Sequence, residues 1–333
     1  MKLLAIEPIE PLSLTSTPIT GVKVFSTVSP LPIPLPTTVI GAIGVLLNIK
    51  LTSNDPINGI RELISEVKDK LRCREPTILG PLTQFKVRGL WSEPAILISD
   101  KNLFITPDLI KDHELILDEC KPSKCFEFQP LIAIGTALER GSISEEKRVR
   151  LGYMYRYPLL TYRTLEGDAV EPRFVYIINC EGDISGVIRF GGEGRIAKIY
   201  TLSGSGFEEY IKNVVNPLNI SVSGFYIALN HIPLLSTSNT LNTLYLDSVI
   251  GLEFTGGVRG VIGLPQNKKP PKIVVERLGL GYYEVLNIRR PQILTLPPGT
   301  IARVVAAGEI SSKLLSTLYD IGFASLYSLT FSK

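Results

Sequence analysis

Histidine, cysteine and tryptophan are all scarce in this 333-residue chain, with two, four and one respectively. Cys73, Cys120, Cys125 and Cys180 are scattered, and only Cys120 and Cys125 are close. A structural zinc site needs four soft ligands at close spacing, and the two histidines do not complete one. The expectation is no metal site, no cofactor and four reduced, mostly buried thiols. Long apolar runs are missing too. The longest, residues 39–47, holds two glycines, far short of the ~20 residues of a membrane span. The N-terminal apolar run Leu3-Leu4-Ala5-Ile6 stops at Glu7 and Pro8, too early for a signal peptide. These absences point to a cytoplasmic protein with no membrane partner. No Ser/His/Asp order, HExxH or paired-carboxylate pattern stands out. His113 lies in a polar stretch and His231 follows a strand-like run, so both read as structural and no enzyme is called for.

What is present is a local concentration of charge. Residues 140–163 hold Arg140, Lys147, Arg148, Arg150, Arg156 and Arg163 against Glu145 and Glu146, a net +4. The whole chain carries +3, so everything outside the window sums to −1. Tyr153, Tyr155, Tyr157 and Tyr162 lie in the same window. From Arg148 to Tyr157 cations and rings fall largely on alternate positions, and period two is strand geometry. The window reads as a hairpin arm with one cationic and one aromatic face. Cations for phosphates and rings for unstacked bases suit single-stranded nucleic acid. The competing reading is an edge hairpin kept soluble by charge, its tyrosines packed on its own core.

Hydrophobic residues make up 44 % and charged residues 20 %, enough for a substantial core. Pro30, Pro32, Pro34 and Pro36 mark an extended lead-in. Thr37-Thr38 then predicts the N-cap of a buried helix over residues 39–47. A second helix is predicted from Asp55 as cap and Pro56 in the first turn, with Ile60, Leu63, Ile64, Val67 and Leu71 as its stripe. Strands are expected at 3–7, 83–90, 95–99, 115–117, 125–129, 173–180, 186–190, 195–202, 225–230, 244–252, 301–306 and 324–331. Ser205 and Glu208 form a capping box ahead of Phe207, Tyr210, Ile211, Val214 and Val215, and predict a further helix. Another helix is expected over 311–320. The order lacks the regular alternation of a doubly wound sheet. It predicts an α+β chain of two ferredoxin-like (RRM-type) units side by side. Residues 1–168 form the first, with an inserted basic hairpin at about 136–164, and 169–333 form the second.

Phe190-Gly191-Gly192-Glu193-Gly194-Arg195 resembles a phosphate-binding loop, but a strand is expected on both sides and neither GxGxxG nor GxxxxGK[ST] is present. It is either a hairpin that needs glycine for positive φ, or a backbone-lined groove for RNA phosphates assisted by Arg195.

Residues 34–43 (PLPTTVIGAI) resemble the opening helix of CRISPR-associated RAMP proteins, and Phe190 to Arg195 resembles their glycine-rich loop. Gly135 to Tyr157 is similar to their thumb hairpin, and Pro297-Pro298-Gly299-Thr300-Ile301 to the entry of their last strand pair. Residues 103–109 (LFITPDL) resemble a segment recurring between these motifs. Their colinear order resembles the third Cmr subunit family of type III-B effector complexes. The resemblance implies a non-catalytic crRNA-binding subunit that grips the 5′ handle of the guide and meets target RNA only indirectly. It implies a large polymerase-like subunit and a backbone RAMP subunit as partners. The RNP aromatic signature of ordinary RRMs is missing, and the Gly256–Gly260 loop matches only in part. RNA contacts are expected from Lys147, Arg148, Arg150, Tyr153, Tyr155, Arg156, Tyr157 and Arg163 on the arm. Others are expected from Gly191, Gly192, Gly194 and Arg195, and from Thr37 and Thr38 at a helix N-terminus. Two rivals stay open: a metal-independent RAMP endoribonuclease processing repeat RNA through His113 or His231, and a protein–protein adaptor.

Overall fold

The computed structural model describes residues 2–16, 29–111, 113–138, 149–204, 206–234, 258–304 and 313–329. For 136–138, 149–155 and 258–259 it describes the backbone alone. The expected strand over 244–252, and Gly256 and Gly257, lie outside the described residues.

Helix α1 (Pro36–Leu46) opens on Pro36, which lacks an N–H that a first turn would leave unpaired anyway. Leu35, not a threonine, holds the N-cap position, and it makes no side-chain cap bond. The Thr37-Thr38 cap is thereby corrected: both threonines lie inside the first turn. Helix α2 (Pro56–Leu71) starts as expected, the Asp55 side chain accepting from the N–H groups of Ile57 and Asn58. Its stripe of Ile60, Leu63, Ile64, Val67 and Leu71 is buried. The two helices approach closely at Gly44, where a Cβ would lie 2.6 Å from Leu63 Cδ1.

Both helices share a core with one face of a ten-stranded sheet. In space, its main path runs Ser185–Arg189, Ile196–Leu202, Lys2–Pro8, Ala169–Cys180, Val149–Thr164, Cys125–Leu138, Leu103–Ile105 and Ile96–Ile98. Cys73–Val87 also pairs with Ala169–Cys180, and Leu90–Trp91 with Cys73–Val87. The pairings are antiparallel, with Leu4 opposite Tyr176 and Ala5 opposite both Val175 and Tyr200. Alternation along the strands feeds two cores. Leu4, Ile6, Phe174, Tyr176 and Ile178 join the helices, whereas Leu3, Val175 and Ile177 join a second cluster with Ile96, Ile98 and Ile105. Lys2–Pro8 is flanked by strands from beyond residue 168, so one sheet spans both sides of that position.

A five-stranded antiparallel sheet orders Val214–Val215, Leu326–Ser328, Gly224–Ala228, Ile301–Val304 and Val258–Gly263. Helix α3 (Glu208–Asn213) is shorter than its apolar stripe suggested. Val214 and Val215, β-branched, leave the helix to pair with Tyr327 and Leu326. The capping box is corrected as well: Phe207 is the N-cap, and Glu208 Oε2 accepts from Gly206 N–H. Helix α4 (Lys313–Asp320) ends in a buried polar junction. Asp320 Oδ1 accepts from both Thr77 N–H and Thr77 Oγ1–H at 2.8 Å, and Oδ2 pairs with Lys68 Nζ.

The expectation of reduced thiols is overturned, since Cys73 pairs with Cys180 and Cys120 with Cys125 as disulfides. Register explains the first pair: Cys73 and Cys180 are cross-strand neighbours 107 residues apart in sequence. The class is α+β as expected, with antiparallel sheets and few helices.

Candidate nucleic-acid interface

The expected arm is a long antiparallel ribbon. Cys125–Leu138 and Val149–Thr164 pair from Phe126 opposite Thr164 out to Leu138 opposite Val149. Lys147 and Arg148 lie outside the described residues, and Arg150, Tyr153 and Tyr155 lie on the strand's backbone-only stretch. Arg156 is exposed and Tyr157 half-buried. Arg163 is exposed at the base, opposite Glu127 and Ala169. Tyr162 belongs to the core instead. Its hydroxyl donates to Pro32 O at 2.7 Å, and its ring packs among Phe85, Phe104, Phe128 and Phe174. Burial pushes its phenol well above the usual range. For that one tyrosine the core-packing reading holds.

The glycine-rich loop joins two paired strands, with Arg189 opposite Ile196, so it is a hairpin turn. Gly191 and Gly194 have φ of +82° and +69°. Gly192 N–H donates to Ser13 O at 2.8 Å, Phe190 N–H to Arg195 O at 2.6 Å, and Arg195 N–H to Gly192 O at 3.3 Å. Three of the loop's main-chain donors are thus occupied: those of Phe190 and Arg195 within the loop, and that of Gly192 by Ser13 O. The Arg195 side chain points to the ribbon. Nη1 pairs with Glu10 Oε2 at 2.6 Å, Nη2 donates to Tyr157 Oη at 3.1 Å, and the guanidinium lies 5.7 Å from the Tyr157 ring centroid. The hydrogen bond that Arg195 donates to Glu10 raises the guanidinium further above its already high pKa. One arginine therefore joins loop, ribbon and the segment entering Ser13. Glu10 and Ser13 were not legible as members of this site, because nothing in sequence links them to residues some 150–190 positions away.

At the start of α1, Thr37 is buried, and its Oγ1 has no hydrogen-bond partner among the described residues. Thr38 N–H donates to Leu35 O at 2.9 Å. The structure does not bring the threonines to Arg195 through any described contact.

A second cation–aromatic cluster was missed because its members come from four strands and a short hairpin. The Arg173 guanidinium lies 4.0 Å from the Trp91 ring centroid, donates to Gln84 Oε1, and approaches Glu7 at 3.5 Å. Tyr200 Oη donates to Glu7 at 2.6 Å, with Lys198 Nζ 4.9 Å from the Tyr200 ring centroid. The lone tryptophan was the only signal available in sequence.

The histidines sit elsewhere. His231 is 2 % exposed, with Nε2 2.8 Å from Glu276 Oε1 and Nδ1 3.1 Å from Asn230 Oδ1. His113 is half-buried, edge-on to Phe225 at 4.9 Å. Among the described residues no cluster of three or more His, Cys, Asp or Glu could hold a metal, and no helix is long and apolar enough to cross a membrane.

No protein-family model matches the chain, and no curated protein matches it. Solved structures do. A chain in the cryo-EM structure of the type III-B Cmr-β complex bound to cognate target RNA is 18 % identical, with a TM-score of 0.61. The match covers 98 % of this chain and 97 % of that one. A chain in the same complex bound to cognate target RNA and AMPPnP is 19 % identical, with the same coverage and a TM-score of 0.60. Over almost its whole length, this chain has the fold of a chain in the type III-B Cmr-β complex.

Proposed function

We propose that this chain is a RAMP-type, non-catalytic crRNA-binding subunit of a type III-B effector complex in the cytoplasm. It grips the 5′ handle of the guide and bridges a large polymerase-like subunit to a backbone RAMP subunit. The observation that carries the reading is the junction at Arg195, which joins a glycine turn to the base of an extended ribbon whose returning strand bears Arg150 and Arg156. The fold likeness to Cmr-β chains supports it. So does strand order. Ile196–Leu202, Lys2–Pro8, Ala169–Cys180 and Cys73–Val87 lie side by side in the 4-1-3-2 order of a ferredoxin-like unit. Leu326–Ser328, Gly224–Ala228, Ile301–Val304 and Val258–Gly263 repeat that order.

In this reading the ribbon is the thumb. Lys147, Arg148 and Arg150 neutralise guide phosphates, and Tyr153, Tyr155 or Tyr157 wedges against a base. Arg195 supplies a guanidinium beside the Gly191–Gly194 turn, and Thr37 and Thr38 contribute at the start of α1. Burial of His231 between two oxygen acceptors supports leaving it out of the chemistry. Arg148→Glu with Arg150→Glu tests the reading in a filter-binding salt titration with guide RNA. Two lost phosphate contacts lower the log–log slope by about 1.4. An unchanged slope removes the arm from the interface, and discrete cleavage of labelled repeat RNA by the purified chain favours the endoribonuclease.

A further inference from the structure

The two strands of the ribbon differ in chemistry. Between Glu127 and Glu139 the outgoing strand carries no charged residue, whereas residues 149–156 of the strand opposite carry Arg150 and Arg156. The uncharged strand exposes aliphatic side chains. Leu131, Ile132 and Ile134 are 51 %, 59 % and 61 % exposed. Alternation places Leu131 on one face of the ribbon and Ile132 and Ile134 on the other. Its outer edge pairs with Leu103–Ile105 only over residues 125–127, and Phe128 N–H then donates to Asn102 O. Among the described residues no strand pairs with that edge beyond Phe128. Residues 129–135 therefore present about 23 Å of open edge at ~3.3 Å per residue.

An exposed, uncharged apolar edge invites pairing, and proteins ordinarily block such edges with lysine, proline or a covering element. Only Pro130 interrupts this one. The backbone identifies what fits. An open edge offers both N–H donors and C=O acceptors, and both need partners once water is excluded. Phosphate oxygens accept but cannot donate to the carbonyls, and residues 129–135 themselves carry no cation to hold them. An extended polypeptide supplies both groups, and its apolar side chains match Leu131, Ile132 and Ile134.

We infer that the outer edge of residues 129–135 is a protein-docking edge, to which a neighbouring subunit of the assembly adds an extended, uncharged, apolar segment. The inference rests on the reading under Proposed function and assigns the ribbon's edges: guide RNA along the arginine-bearing strand, a subunit along the neutral one.

The test is reconstitution of the full chain with its guide RNA and the large and backbone subunits from the same genome. Ile132→Lys with Ile134→Lys is compared with Ile132→Val with Ile134→Val. The lysine variant binds guide RNA in isolation as the wild type does, yet is recovered in the assembly at least tenfold less, and the valine variant assembles normally. In the wild-type assembly, amides of residues 129–135 gain hydrogen-exchange protection at alternate positions, the signature of an added strand. Equal recovery of the lysine variant, or protection unchanged on assembly, overturns the docking edge alone. Tenfold weaker RNA binding by the isolated lysine variant reassigns the edge to RNA. A wild-type dimer that the lysines dissociate reassigns it to a second copy of the chain. A wild-type chain that assembles with nothing refutes the functional reading and the docking edge together.

Discussion

Replacing Gly191 by alanine tests the geometry that locks the glycine turn, with Gly194→Ala as the internal reference. Both positions have positive φ, so both substitutions carry a left-handed backbone penalty of about 1–2 kcal/mol. Their surroundings differ. Nothing lies within 4 Å of a Cβ on Gly194, whereas a Cβ on Gly191 would lie 2.7 Å from Ser13 O and 2.7 Å from Leu14 Cδ2. Ser13 O is also the acceptor for Gly192 N–H. Relieving the collision means withdrawing that carbonyl. The cost is a hydrogen bond of about 1 kcal/mol, plus a comparable desolvation term for the buried group left behind. Gly191→Ala should therefore be about 2 kcal/mol worse than Gly194→Ala, roughly thirtyfold in an equilibrium constant. The assay is hydrogen exchange at the Gly192 amide, with chemical unfolding of the same proteins alongside. Gly192 should exchange roughly thirtyfold faster in Gly191→Ala than in Gly194→Ala. Rates agreeing within about threefold would mean that Ser13 does not hold the turn, and the Arg195 junction built on it would fall too.

Further outcomes follow from the same contacts. Glu10 occupies the Arg195 guanidinium. Under the proposed role of Arg195 in holding guide phosphate, Glu10→Gln should strengthen guide binding at low salt and Arg195→Ala should weaken it, and equal effects in filter binding exclude Arg195 from the interface. The chain unfolded without reductant should present no titratable thiol and four after reduction, and four beforehand would refute both disulfides. At Asp108 burial opposes ionisation, but the hydrogen bond and charge of Lys124 outweigh it and hold the carboxyl below its usual range. A lowered folded pKa contributes stability above the unfolded value that is lost as pH falls through the folded one. Lys124→Met should thus make the acid limb shallower below about pH 4, and an unchanged limb in unfolding titrations would refute the pairing.

Local patterns were legible where one stretch of chain carried the whole cause. Asp55, Pro56 and the stripe from Ile60 to Leu71 contain everything α2 needs. The strands flanking the glycine turn, and the period-two ribbon, were legible for the same reason. Val214 and Val215 show the limit: helical spacing extended the apolar stripe through them, but pairing with Tyr327 and Leu326 was worth more to two β-branched residues than another helical turn. The α1 cap shifted because Pro36 can occupy a first turn, moving both threonines inside it.

Composition and pattern alone determined an α+β chain, a concentration of positive charge near its middle, and a glycine-rich segment between two strands. These depend on near neighbours in the chain, and neighbours are what a sequence displays. Tertiary structure alone decided that Cys73 meets Cys180, that Tyr162 belongs to the core while Tyr157 meets Arg195, and that Glu10 neutralises that arginine. It also decided that Leu131, Ile132 and Ile134 on the neutral strand of the ribbon are exposed beside an edge with no paired strand among the described residues. Each of these depends on strand register, which a single residue of slip would reverse, and register is set by packing across the whole sheet.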